Sequence, residues 1–78
     1  MWVNPAEYKR VGRALAEARR AKDISQQELA RRLSKPQSFV SSYENGQRRI
    51  DVLELIRICR ELRADPVAVF KRIATGKA

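Results

Sequence analysis

Between Gln37 and Asn45 the chain carries polar but uncharged side chains at spacings that bring them to one face of a helix. When residues are placed at steps of about 100°, Ser38, Ser41, Ser42 and Asn45 face one side, and Gln37 lies at their leading edge. Hydroxyl and amide groups both donate and accept hydrogen bonds. They can therefore contact base edges in the major groove of DNA without repelling its phosphates. From this face alone, a polar surface helix without a partner remains the alternative.

Cations flank this segment on both sides. Lys35 precedes it, and Arg48 and Arg49 follow it. Taken singly, each is more simply interpreted as a solvated surface charge. Taken together, they place positive charge where the phosphates on either wall of a groove would lie. The whole chain agrees, because 17 Lys and Arg against 9 Asp and Glu give its 78 residues a net charge of +8. An anionic partner, nucleic acid first, is therefore expected.

The same composition argues against catalysis and metal binding. The chain has no His and a single cysteine, Cys59, which falls on a predicted apolar stripe. That is too few ligands for a structural zinc site, and it excludes Ser/His/Asp and Cys/His catalytic arrangements. We expect no enzyme activity, no cofactor, no metal and no internal disulfide. Because no apolar run approaches the roughly 20 residues that span a bilayer, we also expect a soluble, cytoplasmic protein without a membrane partner.

Helix-start signals recur along the chain and predict an all-α domain of five short helices. Asn4 caps the first helix, Ser25 and Glu28 form a capping box for the second, and Asp51 and Asp65 open the fourth and fifth. The first three helices are predicted at residues 5–22, 26–33 and 37–45. The predicted core stripes are Tyr8, Val11, Leu15 and Ala18; Leu29, Ala30 and Leu33; Phe39, Val40 and Tyr43; Val52, Leu55, Cys59 and Leu62; and Val69, Phe70 and Ile73.

These helices form one domain over residues 1–78, with a short arm at 1–4 and a frayed tail at 75–78. The apolar content of 44% is ordinary for a folded domain, so the high charge does not imply disorder. Trp2 precedes the first cap and is either part of a disordered arm or part of a subunit contact.

The stretch QQELARRLSKPQSFVSSYENGQRRIDVLELIRICREL resembles the phage-repressor type of DNA-binding domain, the lambda-repressor-like or xenobiotic-response-element class of helix-turn-helix regulators. Ala30 stands where that family needs a small residue for two helices to cross, Val40 and Tyr43 match its buried positions, and 44–46 matches its closing Glu-Asn-Gly motif. The resemblance runs from Val11 to Phe70. It implies a compact five-helix domain of a prokaryote or phage, with helices two and three as the helix-turn-helix on double-stranded DNA.

The resemblance also implies roles for individual residues. It implies that bases are read by Gln37, Ser38 and Ser42, with Ser41 beside them. Phosphate contacts fall to Gln26, Asn45, Gln47, Arg48 and Arg49, and the flanking Lys35 joins this set. Two departures concern the turn, where Ser34 replaces a common Gly with positive φ, and Pro36 replaces a Ser or Thr helix cap.

Arg19 lies near the apolar side of helix one, so it needs a buried partner. In the family the matching Arg pairs with the Glu at the end of helix three, here Glu44, which implies a structural ion pair.

Helix five carries more apolar surface than one core face needs, which indicates a homodimer interface at Val67, Val69, Phe70 and Ile73. We interpret the chain as a sequence-specific transcriptional regulator, a repressor or autoregulator that binds an inverted-repeat operator as a homodimer. The alternative is an antitoxin or anti-activator that mainly binds a partner protein, such as a toxin or an activator. A non-specific basic binder of nucleic acid or anionic membranes is the third possibility.

Overall fold

Five α-helices follow one another in the computed structural model, which describes residues 4–76 of the chain. They are α1 (Pro5–Ala21), α2 (Gln26–Leu33), α3 (Gln37–Glu44), α4 (Val52–Leu62) and α5 (Pro66–Thr75). The predicted all-α class and helix order are confirmed. Trp2 lies outside the described residues, as do most of the predicted arm and the end of the predicted tail. Thr75, the first residue of that tail, is still helical, and Gly76 closes α5 with a φ of 74°.

Helix starts follow the chemistry of their caps. Helices α1 and α4 begin with complete capping boxes, at Asn4 and Asp51, in which the cap side chain and the third helical residue each accept a backbone N–H. Of the two bonds predicted at the start of α2, the structure contains the one from the Glu28 N–H to the Ser25 hydroxyl, at 3.0 Å. The Glu28 carboxylate accepts instead from the side chains of Arg31 and Arg32. The predicted reciprocal box is therefore only half formed.

The core lies where the five helices meet. Its buried apolar side chains are Ala14, Leu15, Ala18, Leu29, Ala30, Leu33, Val40, Tyr43, Leu55, Ile58, Cys59, Leu62 and Val69. Two predicted core residues are wrong, because Val52 is 67% and Phe70 58% exposed. A third, Tyr8, is half-buried and is not among the described core residues. In α4 the buried stripe starts one turn later, at Leu55, and includes Ile58, which completes the i, i+3, i+4, i+7 pattern of a helix face. In α5, Val69 enters the core, and Phe70, one residue further round the helix, points away.

Helix α1 holds the ends of two other helices. At the buried Gly12, an added Cβ would collide with the carbonyl oxygen of Tyr43 and lie 2.6 Å from that of Glu44, so α1 and the end of α3 touch through their backbones. Arg10 reaches in another direction and donates from Nη2 to the carbonyl oxygen of Ile73 near the end of α5, at 2.6 Å. Helix α3 is consequently fixed by α1 as well as by α2.

Candidate nucleic-acid interface

A turn of three residues, 34–36, joins α2 to α3. Ser34 adopts the left-handed conformation, with φ 56° and ψ 42°, at the position where the resemblance implies a Gly. The N–H groups of Ser34 and Lys35 donate to the carbonyls of Arg31 and Ala30, at 3.1 and 2.9 Å, and so close α2. Pro36 then takes extended backbone and provides no side-chain cap for α3. The turn is that of a helix-turn-helix, and its one non-glycine left-handed residue stores strain.

The buried and the exposed faces of α3 carry the residues that the sequence predicts for them. Val40 and Tyr43 are 0% and 1% exposed and pack into the core. On the outer side, Gln37 and Ser38 are exposed, and Ser41 is half-buried, as is Ser42 beside it. The outward groups are amide and hydroxyl, so α3 presents donors and acceptors without charge along its first two turns.

Gln37 is the first residue of α3, and its side chain contacts the first residue of α2. Its Nε2 donates to Oε1 of Gln26 at 3.4 Å. Gln26 in turn donates from Nε2 to Oε1 of Glu44 at 2.8 Å. The Gln37 amide therefore makes a long contact with a Gln26 side chain that is itself held by Glu44. This link was missed in the sequence, although the two amides occupy the same first position of consecutive helices.

Arg19 and Glu44 form the ion pair that the resemblance implies. Nε of Arg19 lies 2.8 Å from Oε2 of Glu44, and Nη2 lies 3.1 Å from Oε1. The Arg19 Nη1 donates to the carbonyl oxygen of Ile24 at 2.8 Å. The two side chains are only 10% and 4% exposed. The hydrogen bond to Glu44 raises the pKa of Arg19 further, against the opposing effect of burial, so the pair ties α1 to the end of α3 as two charges.

The predicted cations surround α3 but differ in how far other groups of the domain already bind them. Lys35 Nζ lies 5.6 Å from the centre of the Phe39 ring, and the Arg48 guanidinium lies over the same ring at 4.6 Å. Arg48 also donates to both carboxylate oxygens of Glu54, at 3.2 and 2.9 Å. These hydrogen bonds lower the pKa of Glu54. The Arg49 guanidinium lies 5.4 Å from the centre of the Tyr8 ring. Part of the charge of Arg48 is therefore compensated within the domain.

The other predicted backbone contacts lie at the two ends of the helix-turn-helix. Gln26 opens α2 and is half-buried. Asn45 caps the end of α3, where it is exposed. Gln47 is also exposed, and its N–H donates to the carbonyl oxygen of Ser42 at 2.9 Å.

The predicted dimer residues divide into two groups. Val67 and Phe70 are 69% and 58% exposed. Val69 is only 3% exposed and belongs to the core of its own subunit, while Ile73 packs against that core. The prediction that Val69 belongs to the dimer interface is therefore wrong, because this residue faces inward where α5 packs against α1 and α4.

Two further features concern residues 4–76 as a whole. Over this part of the chain, no helix combines the length and apolar character needed to cross a membrane, and no group of three His, Cys, Asp or Glu side chains is placed to hold a metal ion. Cys59 is buried in the core, and desolvation raises the pKa of its thiol. It is a small core residue, as predicted.

Fold and site together define a helix-turn-helix DNA-binding domain. The family model described as helix-turn-helix, HTH_3, matches residues 15–68. No match was found among curated proteins.

Several solved structures are similar over most of the chain. An XRE-family like protein from Pseudomonas syringae pv. tomato is 44% identical, covering 94% of this chain and 89% of that chain with a TM-score of 0.79. The restriction-modification controller protein C.AhdI from Aeromonas hydrophila is 31% identical, covering 83% of this chain and 98% of that chain with a TM-score of 0.76. The clp gene regulator ClgR from Corynebacterium glutamicum is 25% identical, covering 92% and 94% of the respective chains with a TM-score of 0.84. The chain belongs to the XRE-type helix-turn-helix family of DNA-binding transcription regulators, and it is not an enzyme.

Proposed function

We propose that this regulator is a repressor that reads an inverted-repeat operator as a homodimer, with α3 in the major groove, and that its own promoter is among its targets. One observation carries the proposal of base readout. The exposed, uncharged edge of α3 begins with Gln37, whose amide lies against that of Gln26 at the start of the recognition helix. A Gln amide offers a donor and an acceptor side by side, which matches the N6 and N7 edge of adenine.

Randomised-site selection tests this readout. Replacing Gln37 by Ala should cost about 1 to 3 kcal/mol on the selected site and relax the preference at one base pair of each half-site. Ser38 and Ser42 are too short for a bidentate pair, so they adjust the fit. Gln47→Ala is the matched control, because it removes the same amide from the loop after α3 and should weaken binding without altering base preference. Identical preferences in the wild type and Gln37→Ala would remove Gln37 from the readout.

The homodimer is proposed on the exposed side of α5, at Val67 and Phe70, which leave large apolar side chains in solvent. A two-fold dimer would place its recognition helices about 34 to 36 Å apart, one turn of DNA. Phe70→Glu should yield monomers in sedimentation at micromolar concentration and weaken operator binding, while α3 stays intact. A wild type that sediments as a monomer both with and without operator DNA would contradict the proposal.

A protein partner is the second candidate, as for an antitoxin or anti-activator. Val52 and Leu53, at the start of α4, are 67% and 76% exposed, so apolar surface exists outside α5. If this surface binds a protein, Leu53→Ser should leave both operator affinity and dimerisation intact. If both are lost, the start of α4 belongs to the dimer instead. A toxin or restriction-enzyme gene beside the coding sequence would favour this candidate.

A further inference from the structure

Three cations form a stripe along α1 that the helix-turn-helix does not account for. They are Lys9, Arg13 and Arg20, spaced four and seven residues apart, so they lie on one side of the helix. All three are exposed, and within residues 4–76 none of their side chains takes part in a hydrogen bond or an ion pair. By contrast, Arg31 and Arg57 are bound to carboxylates of their own helices. The three α1 cations are therefore uncompensated.

These side chains surround a depression between α1 and the helix-turn-helix. Its lining consists of Lys9, Arg13, Ala16, Arg20, Gln26, Glu44 and Asn45. Its one carboxylate, that of Glu44, is bound by Arg19 and Gln26, and its side chain is only 4% exposed. The depression consequently presents positive charge and amide groups to any ligand that enters it. Such a set of donors suits a phosphate oxygen.

The position of the depression indicates which kind of phosphate it would bind. Gln26 opens α2 and Asn45 ends α3, so the depression borders both ends of the helix-turn-helix. We propose that it binds a phosphate of the DNA backbone beside the groove that α3 reads, with Arg13 and Arg20 as the principal cations. The inference rests on the proposed function and extends the DNA contact from α2 and α3 to α1.

A second basic depression provides the internal comparison. Lys22, Arg63 and Arg72 line it together with Asp65, whose carboxylate is in no ion pair within the described residues, and with several alanines of α1 and α5. It borders neither α2 nor α3. Arg72 is exposed like Arg13, so it controls for the loss of one positive charge at a site where no phosphate is expected.

The test measures the dependence of affinity on salt. Wild type, Arg13→Ala/Arg20→Ala, Arg13→Lys and Arg72→Ala are titrated onto a random-sequence duplex of about 20 base pairs at salt concentrations from about 50 to 200 mM. The slope of log affinity against log salt is negative, and each lost phosphate contact makes it less steep by about 0.9 per subunit. Across this salt range, the loss of affinity with added salt is then about threefold smaller. We expect this less steep slope in the double variant. Arg13→Lys should keep the wild-type slope, and Arg72→Ala should change it little. Thermal unfolding of each variant verifies that the domain is folded.

Two failures have different signatures. If the double variant and Arg72→Ala change the slope per charge removed by equal amounts, the α1 cations act only through net charge and the phosphate site is refuted, while the function stands. If the wild type binds neither this duplex nor any sequence in a selection, the proposed function fails and the phosphate site fails with it.

Discussion

Replacing Glu44 by Gln would remove the negative charge from the ion pair that joins α1 to the end of α3. The variant keeps the size of the side chain and one oxygen that can accept from Arg19. It leaves the Arg19 guanidinium covered by protein and without a counter-ion. The hydrogen bond to Glu44 is the main cause that raises the pKa of Arg19. Its weakening therefore destabilises the charged guanidinium of Arg19 in the folded protein.

The size of the effect follows from burial. Arg19 and Glu44 are 10% and 4% exposed, and their two contacts are 2.8 and 3.1 Å long. Removing one partner of a buried pair costs about 3 to 5 kcal/mol, and the retained amide oxygen places Glu44→Gln near the lower end. A domain of this size is stable by about 4 to 12 kcal/mol in total. A loss of about 3 kcal/mol would lower the melting temperature by about 12 to 24 °C.

Urea and thermal unfolding followed by circular dichroism measure this loss. Glu61→Gln is the control, because its pair with Arg57 is 3.6 Å long and much more exposed. That substitution should change stability by less than about 0.5 kcal/mol. If Glu44→Gln shifted the unfolding midpoint no more than Glu61→Gln, the buried pair would not stabilise the domain, and the coupling of α1 to α3 would rest on backbone packing alone.

Three further outcomes are expected from the geometry. Ser34→Gly should raise stability by up to about 1 kcal/mol in urea unfolding, because a left-handed residue bearing a Cβ is replaced by one without strain; no gain would mean that the turn is relaxed. Gly12→Ala should lower stability by about 2 to 3 kcal/mol in the same assay, because its Cβ would meet α3 backbone that cannot yield, and an unchanged midpoint would contradict that contact. Hydrogen bonds from Arg31 and Arg32 lower the pKa of Glu28 from 4.5 to about 2, so its stabilising effect is complete above about pH 4.5 and is lost as the pH falls toward 2. Glu28→Gln should accordingly flatten the acid side of a stability–pH curve.

Local signals were enough to predict most of the fold. Asn4 and Asp51 cap α1 and α4 as predicted, and periodicity placed Val40 and Tyr43 in the core. Such signals involve neighbours in sequence, so they can be recognised without tertiary contacts. The Ser25 box formed only in part, because Arg31 and Arg32 compete for the Glu28 carboxylate.

Apart from the Arg19–Glu44 pair, which the family resemblance implied, contacts between distant residues could not be assigned from the sequence. Whether Val69 or Phe70 faces inward depends on how α5 packs against α1 and α4, and the apolar pattern of α5 fits either choice. The pairing of Arg48 with Glu54 and its stacking on Phe39 depend on the path of the loop between α3 and α4. The charge count therefore overstates how much of Arg48 is free for phosphate, whereas the α1 cations are uncompensated although nothing in their pattern marks them.

The Glu44 carboxylate connects the stability of the fold to the side chains at the start of α3. Glu44 accepts from Arg19 on one side and from Gln26 on the other, and Gln26 accepts from Gln37. Gln26 is held by a buried carboxylate, so on the proposed readout its contact with Gln37 would reduce the side-chain freedom that Gln37 loses on meeting a base. Within residues 4–76, no side chain of α2 donates to or accepts from the hydroxyl groups of Ser38, Ser41 or Ser42. On the proposed readout, base specificity would depend on the buried pair that joins α1 to α3 as well as on the exposed surface of α3.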